Sequence, residues 1–503
     1  MSGFSGEHHV AVIGGGITGL SAVDALLREK DQGMTPPSVT LLEADERLGG
    51  KIRSEPIGGQ RIDVGAESLM ARAPTAIALC EQLGLSDDLT PAAQTTSCVW
   101  IKRRLAPLPT GVLAAQRTAP AEVLRSGILS KAGAARAALD LLLPSCRWRE
   151  DETVAQIVRR RLGAQALERI VDPLLGTIYG ANCEQLSAAA TAPALSQLAH
   201  EHRSLIAGLL RGGPTAAGRG STASLRGFSA AAPKQGEDAP ADRGPLFVTL
   251  EGGLERIVTR LAERCGAAEV RLRTQATAIE RRADGRYLVR TGEAEPLLVD
   301  AVIVATGADV AANLLRGIAP GAAGELQGVR YASTVVVTLR CKRSAALSAM
   351  RCAGLLMPRS AGTLLGACTF MSVKWPHLAV DGGAWLRCSI ARAHTAHALE
   401  AQDGEIVSSL TDELRQVIGE QVLPEEAHIM RWHRSLPICE RGHIARVARI
   451  EQELEPLRGI ALAGAAYHGA GVPQCIADGQ AAARRTLAQL RDHLPGAPIG
   501  APS

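Results

Sequence analysis

The chain has 503 residues, of which 46% are hydrophobic and 21% charged, and its formal net charge is +4. That length supports two or three domains with a real core, and so mild a charge excludes a protein that grips nucleic acid by electrostatics. The eleven cysteines include no C-x-x-C pair and no Cys/His cluster, which excludes a zinc module and a secreted disulfide framework and predicts a reducing, cytoplasmic setting.

Val10–Ile13 reads as a short buried strand, and it runs into glycine too soon to be the apolar core of a signal peptide. Ile17–Arg28 reads as a helix, with Leu20, Val23 and Leu27 at helical spacing. Val39–Leu42 is a second buried strand that ends in Glu43. Between the first strand and the helix, Gly14, Gly16 and Gly19 fill the G-x-G-x-x-G pattern. The first glycine permits a tight turn, the second lets the backbone approach a pyrophosphate, and the third lets helix pack on strand. The helix N-terminus adds free N–H groups and a positive dipole end for the phosphates. Glu43 is placed to accept ribose hydroxyls. It lies further from the glycines than the usual ~20 residues, and "DQGMTPPS" (Asp31–Ser38) reads as a loop insertion that accounts for the excess.

After Glu43 comes "EADERLGGKIRSEPIGGQRIDVGAESL", with a second glycine pair, Gly49-Gly50, then Lys51 and a strand pair ending at "DVGAES". This stretch resembles the amine-oxidase-type flavoproteins, whose FAD lies extended along it. Lys102-Arg103-Arg104 reads as a solvated hairpin, with a carboxylate clamp as the sharper alternative. Residues 76–246 are mainly helical in pattern and include "LSKAGAARAALDLLLPSCRW" (Leu129–Trp148), which is expected to be a buried amphipathic helix rather than a membrane-surface one. Residues 211–245, rich in Gly, Pro, Ala and Ser, read as a disordered or lid-like loop.

Glu269–Thr291 reads as a β-meander, and Leu298–Ala308 as a buried strand ending in A-T-G. Strand-like runs such as "STVVVTLRC" and "GLLMPRS" between about 311 and 430 suit a mixed sheet. The C-terminus offers "GIALAGAAYHGAGVPQCIADGQAAARRTLAQL", a strand, a glycine turn and a helix opening near Pro473. That helix N-terminus would face the isoalloxazine, where positive potential favours the reduced anionic flavin. The expected fold is α/β. A discontinuous Rossmann-like FAD-binding domain (1–75, 247–310 and 431–503) is joined by an α-helical domain (76–246) and a mixed-sheet substrate domain (311–430). No internal repeat, metal cluster, Ser/His/Asp set or acid–base pair is found, so neither a catalytic side chain nor a metal ligand is assigned.

Nearly the whole chain resembles the oxygen-dependent protoporphyrinogen/coproporphyrinogen oxidases of haem biosynthesis. The blocks that carry the likeness are "LLEADERLGGKIRSE", "ERIVDPLLGTIYGANCEQLSAAATAPAL", "EGGLERIVTRLAE", "GACTFMSVKWPHLA", "RWHRSLPICERGHIARV" and "GAAYHGAGVPQCIADGQAAA", in the family's order. The SVKWPH stretch looks like the soluble branch of Gram-positive bacteria, which typically oxidises coproporphyrinogen III before iron insertion. The resemblance implies six-electron oxidation of a porphyrinogen: FAD takes hydride, and O₂ regenerates the flavin and yields H₂O₂. Protoporphyrinogen IX remains open as substrate.

By the same resemblance the flavin contacts are Gly14, Gly15, Gly16, Ile17, Thr18, Gly19, Glu43, Ala44, Lys51 and Gly65-Ala66-Glu67-Ser68. Ala276 near the adenine, Trp432, Ala465 and Gly471-Val472-Pro473 complete them. In the substrate cavity Gly176 matches a wall glycine, and Leu365 an aliphatic residue that packs on the macrocycle. Ser97 stands where some members carry a propionate-binding arginine, so other cations are needed; Arg72 and Lys374 are the candidates. Cys475 is expected to be a packed thiol rather than a covalent flavin anchor, His443 a structural hydrogen-bonding residue rather than a proton shuttle, and Trp375 packing beside the cavity. Tyr179 and Tyr467 are open between core and cavity. The implied partners are the porphyrinogen, O₂ and a ferrochelatase-type enzyme receiving the product. Membrane contact is at most peripheral, and the state is monomer or homodimer. Two alternatives stay open. One is another flavoenzyme of this fold, an amine oxidase or carotenoid desaturase. The other is a non-redox escort-type binding protein, which retention of Glu43, Gly49-Gly50 and the C-terminal block argues against.

Overall fold

A computed structural model describes residues 8–28, 36–109, 120–144, 151–211, 245–292, 295–379, 382–419 and 422–491. The expected loop at 211–245 therefore lies almost wholly outside the described residues, as does most of the expected insertion at Asp31–Ser38.

Strand His9–Ile13 is central to a five-stranded parallel sheet. In spatial order its strands are Glu269–Arg271, Ser38–Leu42, His9–Ile13, Ala301–Val304 and Ile460–Leu462. The near-continuous apolar runs of the inner strands follow from burial on both faces. On one face pack helices Ile17–Arg28, Glu255–Arg264 and Val472–Arg491. On the other lie the antiparallel strands Ala276–Arg281, Tyr287–Thr291 and Leu297–Val299, with helices Ala308–Leu315 and His443–Leu454. The sheet thus gathers its strands from three distant stretches of chain. Glu269–Arg271 departs from the expected meander: it pairs with Ser38–Leu42 at the edge of the parallel sheet, and only the segment from Ala276 onward is antiparallel.

A second sheet of seven strands runs in the order Pro424–Pro437, Tyr331–Lys342, Gly383–Ile390, Leu365–Phe370, Gly354–Leu356, Ser97–Ile101 and Arg104–Pro107. It is mixed, since Gly354–Leu356 and Ser97–Ile101 pair in parallel while the other neighbours are antiparallel. Its last two strands come from residues 97–107, within the stretch expected to be helical. Lys102 and Arg103 form their turn, both with positive φ (50° and 60°) and both exposed, so this basic triplet lies on the solvated hairpin. A helical layer covers that end of the sheet. It contains Val154–Arg161, whose Thr153 and Gln156 form a reciprocal N-terminal cap, and Asp172–Tyr179.

Leu129–Trp148 is not the single buried helix expected. Helix Lys131–Ala138 buries none of its residues, a 3-10 turn follows at Leu139–Leu141, and Leu142 is 76% exposed. The Ser130 hydroxyl, accepting from Gly133 N, caps this short surface element. Among the described residues no helix is long and apolar enough to cross a membrane.

Candidate functional site

The three glycines of the first turn meet three different constraints. Gly14 has φ +108°, and a Cβ there would lie 2.7 Å from the Ala305 carbonyl oxygen. A Cβ on Gly19 would sit 1.9 Å from the Gly14 oxygen, so helix Ile17–Arg28 approaches the strand as closely as glycine alone allows. Gly16 is the opposite case, with no protein atom within 4 Å of its would-be Cβ. The backbone there faces open space at the N-terminal end of a helix, which is what a pyrophosphate requires.

The second glycine pair lies against the first. Gly49 N donates to the Gly15 oxygen at 2.9 Å, and Gly16 and Gly49 form a parallel bridge. Gly15 N donates to Glu43 Oε2 at 2.6 Å, and Asp45 N to Glu43 Oε1 at 2.8 Å. The carboxylate is thereby fixed at the end of its strand, each oxygen retaining a lone pair for a ribose hydroxyl. Ala44 follows it, exposed. Thr274 N donates to the Glu43 oxygen, and Ala276 packs into the same core cluster as Ile13 and Leu42.

From Lys51 the chain turns into the Gly65–Ser68 loop. Ala66 N donates to the Lys51 oxygen, Val64 N to the Arg53 oxygen, and a Cβ on Gly65 would fall 2.0 Å from the Lys51 oxygen. Trp432 Nε1 donates to the Val64 oxygen at 3.1 Å. Arg387 donates to the Asp63 oxygen at 2.7 Å and the Gly65 oxygen at 2.5 Å. Glu67 pairs with Lys374 Nζ at 2.6 Å and lies 3.7 Å from Arg387 Nε. Burial works against its ionised form, but the two cations prevail and hold its pKa below the ordinary carboxylate value. The Lys51 ammonium is open to solvent yet ringed by protein within the cleft. Desolvation there lowers its pKa, against the pull of Cys475 and Asp309.

Helix Val472–Arg491 completes the cleft. A Cβ on Gly479 would lie 2.1 Å from the Thr18 oxygen, so this helix and Ile17–Arg28 pack backbone to backbone, and Ala465 and Gly471-Val472-Pro473 lead into it half-buried. Asp478 accepts from Gly464 N at 2.7 Å and pairs with His468 Nδ1 at 2.9 Å; Glu451 takes His468 Nε2 at 3.2 Å. The two carboxylates raise the His468 pKa to about 9. Cys475 is buried, and burial pushes its thiol pKa up to about 11, the opposite of an activated nucleophile. His443, 3% exposed, donates a ring hydrogen bond to the Ala466 backbone. Burial, followed by Arg446, lowers its pKa to about 4. Tyr179 is core, with its hydroxyl on the Thr191 oxygen at 2.9 Å. Tyr467 is buried as well, and its hydroxyl finds no partner among the described residues.

The substrate candidates divide. Arg72 is exposed and makes no side-chain bond among the described residues. Lys374 is buried, its charge taken by Glu67 and its ammonium 5.2 Å from the Phe247 ring and 4.8 Å from that of Trp375, itself fully buried. Gly176 lies against Arg392, whose guanidinium a Cβ would overlap. Leu365 corrects the reading from sequence: at 0% exposure it is enclosed in the core of the seven-stranded sheet and turns no face to a cavity. Arg387, His468, Asp478 and Arg392 went unnoticed in the sequence. The one local sign was an arginine inside the apolar strand "AWLRCSI".

The glycine cradle, the fixed acid and the helix N-terminus fit an FAD. The family model described as flavin-containing amine oxidoreductase matches residues 17–487, and the chain belongs to that family: it is an FAD-dependent oxidoreductase of α/β fold. Within it, the chain falls among the porphyrinogen oxidases, in the branch found in Gram-positive bacteria. It is 30% identical to a coproporphyrinogen III oxidase of Bacillus subtilis, over 96% of this chain and 99% of that one. With a coproporphyrinogen III oxidase of Propionibacterium freudenreichii it shares 32% identity, over 97% and 93%. A solved structure from Exiguobacterium sp. 255-15, assigned to the protoporphyrinogen oxidases, superposes with a TM-score of 0.80 at 28% identity, covering 97% of this chain and 100% of that one.

Proposed function

We propose that this chain oxidises coproporphyrinogen III to coproporphyrin III in haem biosynthesis, with O₂ as final acceptor and H₂O₂ as by-product. The observation that carries the reading is the open glycine turn at Gly16 beside the fixed Glu43, in a chain that matches coproporphyrinogen III oxidases nearly end to end. FAD, when bound, supplies the two-electron acceptor. Gly14 to Gly19 and Glu43 would hold its pyrophosphate and ribose. The floor at Gly65–Ser68, pinned by Arg387 and Trp432, fixes the plane against which substrate must lie. The N-terminus of helix Val472–Arg491 contributes positive potential. Each of the three steps would give a hydride to the flavin and a proton to solvent; no side chain is assigned as general base, and the chain's part is positioning.

The domain division proposed is 1–75 with 247–310 and 431–503 for FAD, 76–246 for the helical part and 311–430 for substrate, the last borrowing strands 97–107. Arg72 is proposed to hold a propionate and Gly176 to line the wall. The setting proposed is cytoplasmic, with the product passing to a ferrochelatase-type enzyme, from a monomer or homodimer. Anaerobic mixing of the yellow holoprotein with coproporphyrinogen III tests the reading: the flavin should bleach as it takes two of the six electrons, and porphyrin fluorescence should appear once O₂ is admitted. A flavin that stays oxidised contradicts it.

A further inference from the structure

A porphyrinogen with several propionates needs several cations, and apart from Arg72 the cations nearest the Gly65–Ser68 loop are engaged. Lys374 is held by Glu67, and Arg387 by Glu67 and two carbonyls. A different pair stands at the far end of the strand that carries Arg387. Arg392 follows strand Gly383–Ile390, and Arg359 follows strand Gly354–Leu356 of the same sheet; both reach helix Asp172–Tyr179 of the helical layer. Asp172 Oδ2 pairs with Arg392 Nη2 at 2.7 Å and with Arg359 Nε at 3.6 Å. Its Oδ1 is taken by Cys183 N at 3.0 Å, and Asn182 Oδ1 takes Arg392 Nε at 3.1 Å.

Two guanidinium groups therefore share one buried carboxylate, leaving a surplus positive charge. Arg392 Nη1 and both terminal nitrogens of Arg359 make no hydrogen bond among the described residues. Arg359, 56% exposed, brings its Nε to 3.6 Å from a carboxylate that is 8% exposed, an ion pair outside hydrogen-bond distance. Such an arrangement presents a fork of free N–H donors from a fixed base, which suits a planar carboxylate. Gly176 permits it, since a Cβ there would lie 2.1 Å from Arg392 Nη1. Arg387 lies within strand Gly383–Ile390, and Arg392 opens the 3-10 turn Arg392–His394 just beyond its end.

We infer that Arg359 and Arg392 form a carboxylate subsite that receives one propionate of the substrate while the macrocycle lies toward the flavin floor. The subsite rests on the porphyrinogen reading.

Arg359→Gln carries the test, because Arg392 still covers Asp172 in that variant; Arg392→Gln strands a buried carboxylate and risks the fold. Titrating full-length holoprotein with coproporphyrin III at several salt concentrations should show binding weakened about ten- to hundredfold. The variant's salt dependence should be shallower, and KM for coproporphyrinogen III should rise while kcat and flavin content hold. Wild-type affinity, salt slope and KM in Arg359→Gln overturn the subsite and leave the function standing. A wild-type holoprotein that neither binds coproporphyrin III nor oxidises the porphyrinogen overturns both.

Discussion

Lys374 and Glu67 are 307 positions apart in the chain, and their side chains meet at 2.6 Å. The contact ties the seven-stranded sheet to the loop under the flavin site, inside an aromatic wall of Phe247 and Trp375. A buried pair of this kind is costly to break and cheap to replace, because removing Lys374 leaves the buried Glu67 charge only the more distant Arg387. Lys374→Met should lower the unfolding free energy by about 3 kcal/mol, and the Glu67→Gln/Lys374→Met double variant should recover much of that loss. Urea unfolding of the holoproteins checks it; equal losses in single and double variants would contradict the pairing.

The glycine turn separates folding from cofactor binding. Gly19→Ala forces a methyl against the Gly14 carbonyl and should cost about 1–3 kcal/mol of stability. Gly16→Ala meets no protein atom, so the apoprotein should melt as wild type does while FAD occupancy falls sharply. Flavin absorbance per protein and apoprotein melting curves read the two effects independently. Loss of apoprotein stability in Gly16→Ala would show that the space belongs to the protein.

His468 gives the molecule a predictable alkaline response. Its folded pKa of about 9 lies above the ordinary 6.5, so the ion pairs with Asp478 and Glu451 stabilise the fold fully below pH 6.5. That contribution is lost as pH rises from 6.5 through 9. At about 1.4 kcal/mol per unit it amounts to roughly 3 kcal/mol. His468→Gln should be less stable than wild type at pH 6 and should converge with it near pH 9.5. A constant difference across that range would assign the loss to packing instead.

Cys475 stands at the start of the C-terminal helix, buried, with a thiol pKa of about 11. Acid precipitation of the holoprotein should therefore release all the flavin into the supernatant, and Cys475→Ser should retain the cofactor. Flavin that stays with the pellet in wild type and not in Cys475→Ser would reveal a covalent link.

The glycine turns and the fixed Glu43 were legible in the sequence because they are written locally. Gly14 to Gly19, Glu43, Gly49-Gly50 and Gly471–Pro473 each owe their roles to neighbours in the chain: a strand end, a helix start, a turn that only glycine makes. The charge network was not legible. Glu67, in the loop after strand Gln60–Asp63, meets Lys374, at the end of helix Met371–Lys374, only in the tertiary fold, and Arg392 finds Asp172 across 220 positions. Nothing in the spacing of these residues announces such partners. Leu365 was misplaced because a strand residue's face depends on pairing register; its partner is Ile390, inside the core. Leu129–Trp148 misled in the other direction: its apolar spacing is helical, yet Leu139, Leu141 and Leu142 remain on the surface.

The most direct measurement is aerobic turnover of the purified holoprotein on coproporphyrinogen III and protoporphyrinogen IX side by side, with porphyrin fluorescence and peroxide followed together. The expected result is clear preference for coproporphyrinogen III, with three peroxides formed per porphyrin, as a six-electron oxidation requires. A yellow protein that oxidises neither porphyrinogen, while remaining folded and flavin-loaded, would contradict the assignment.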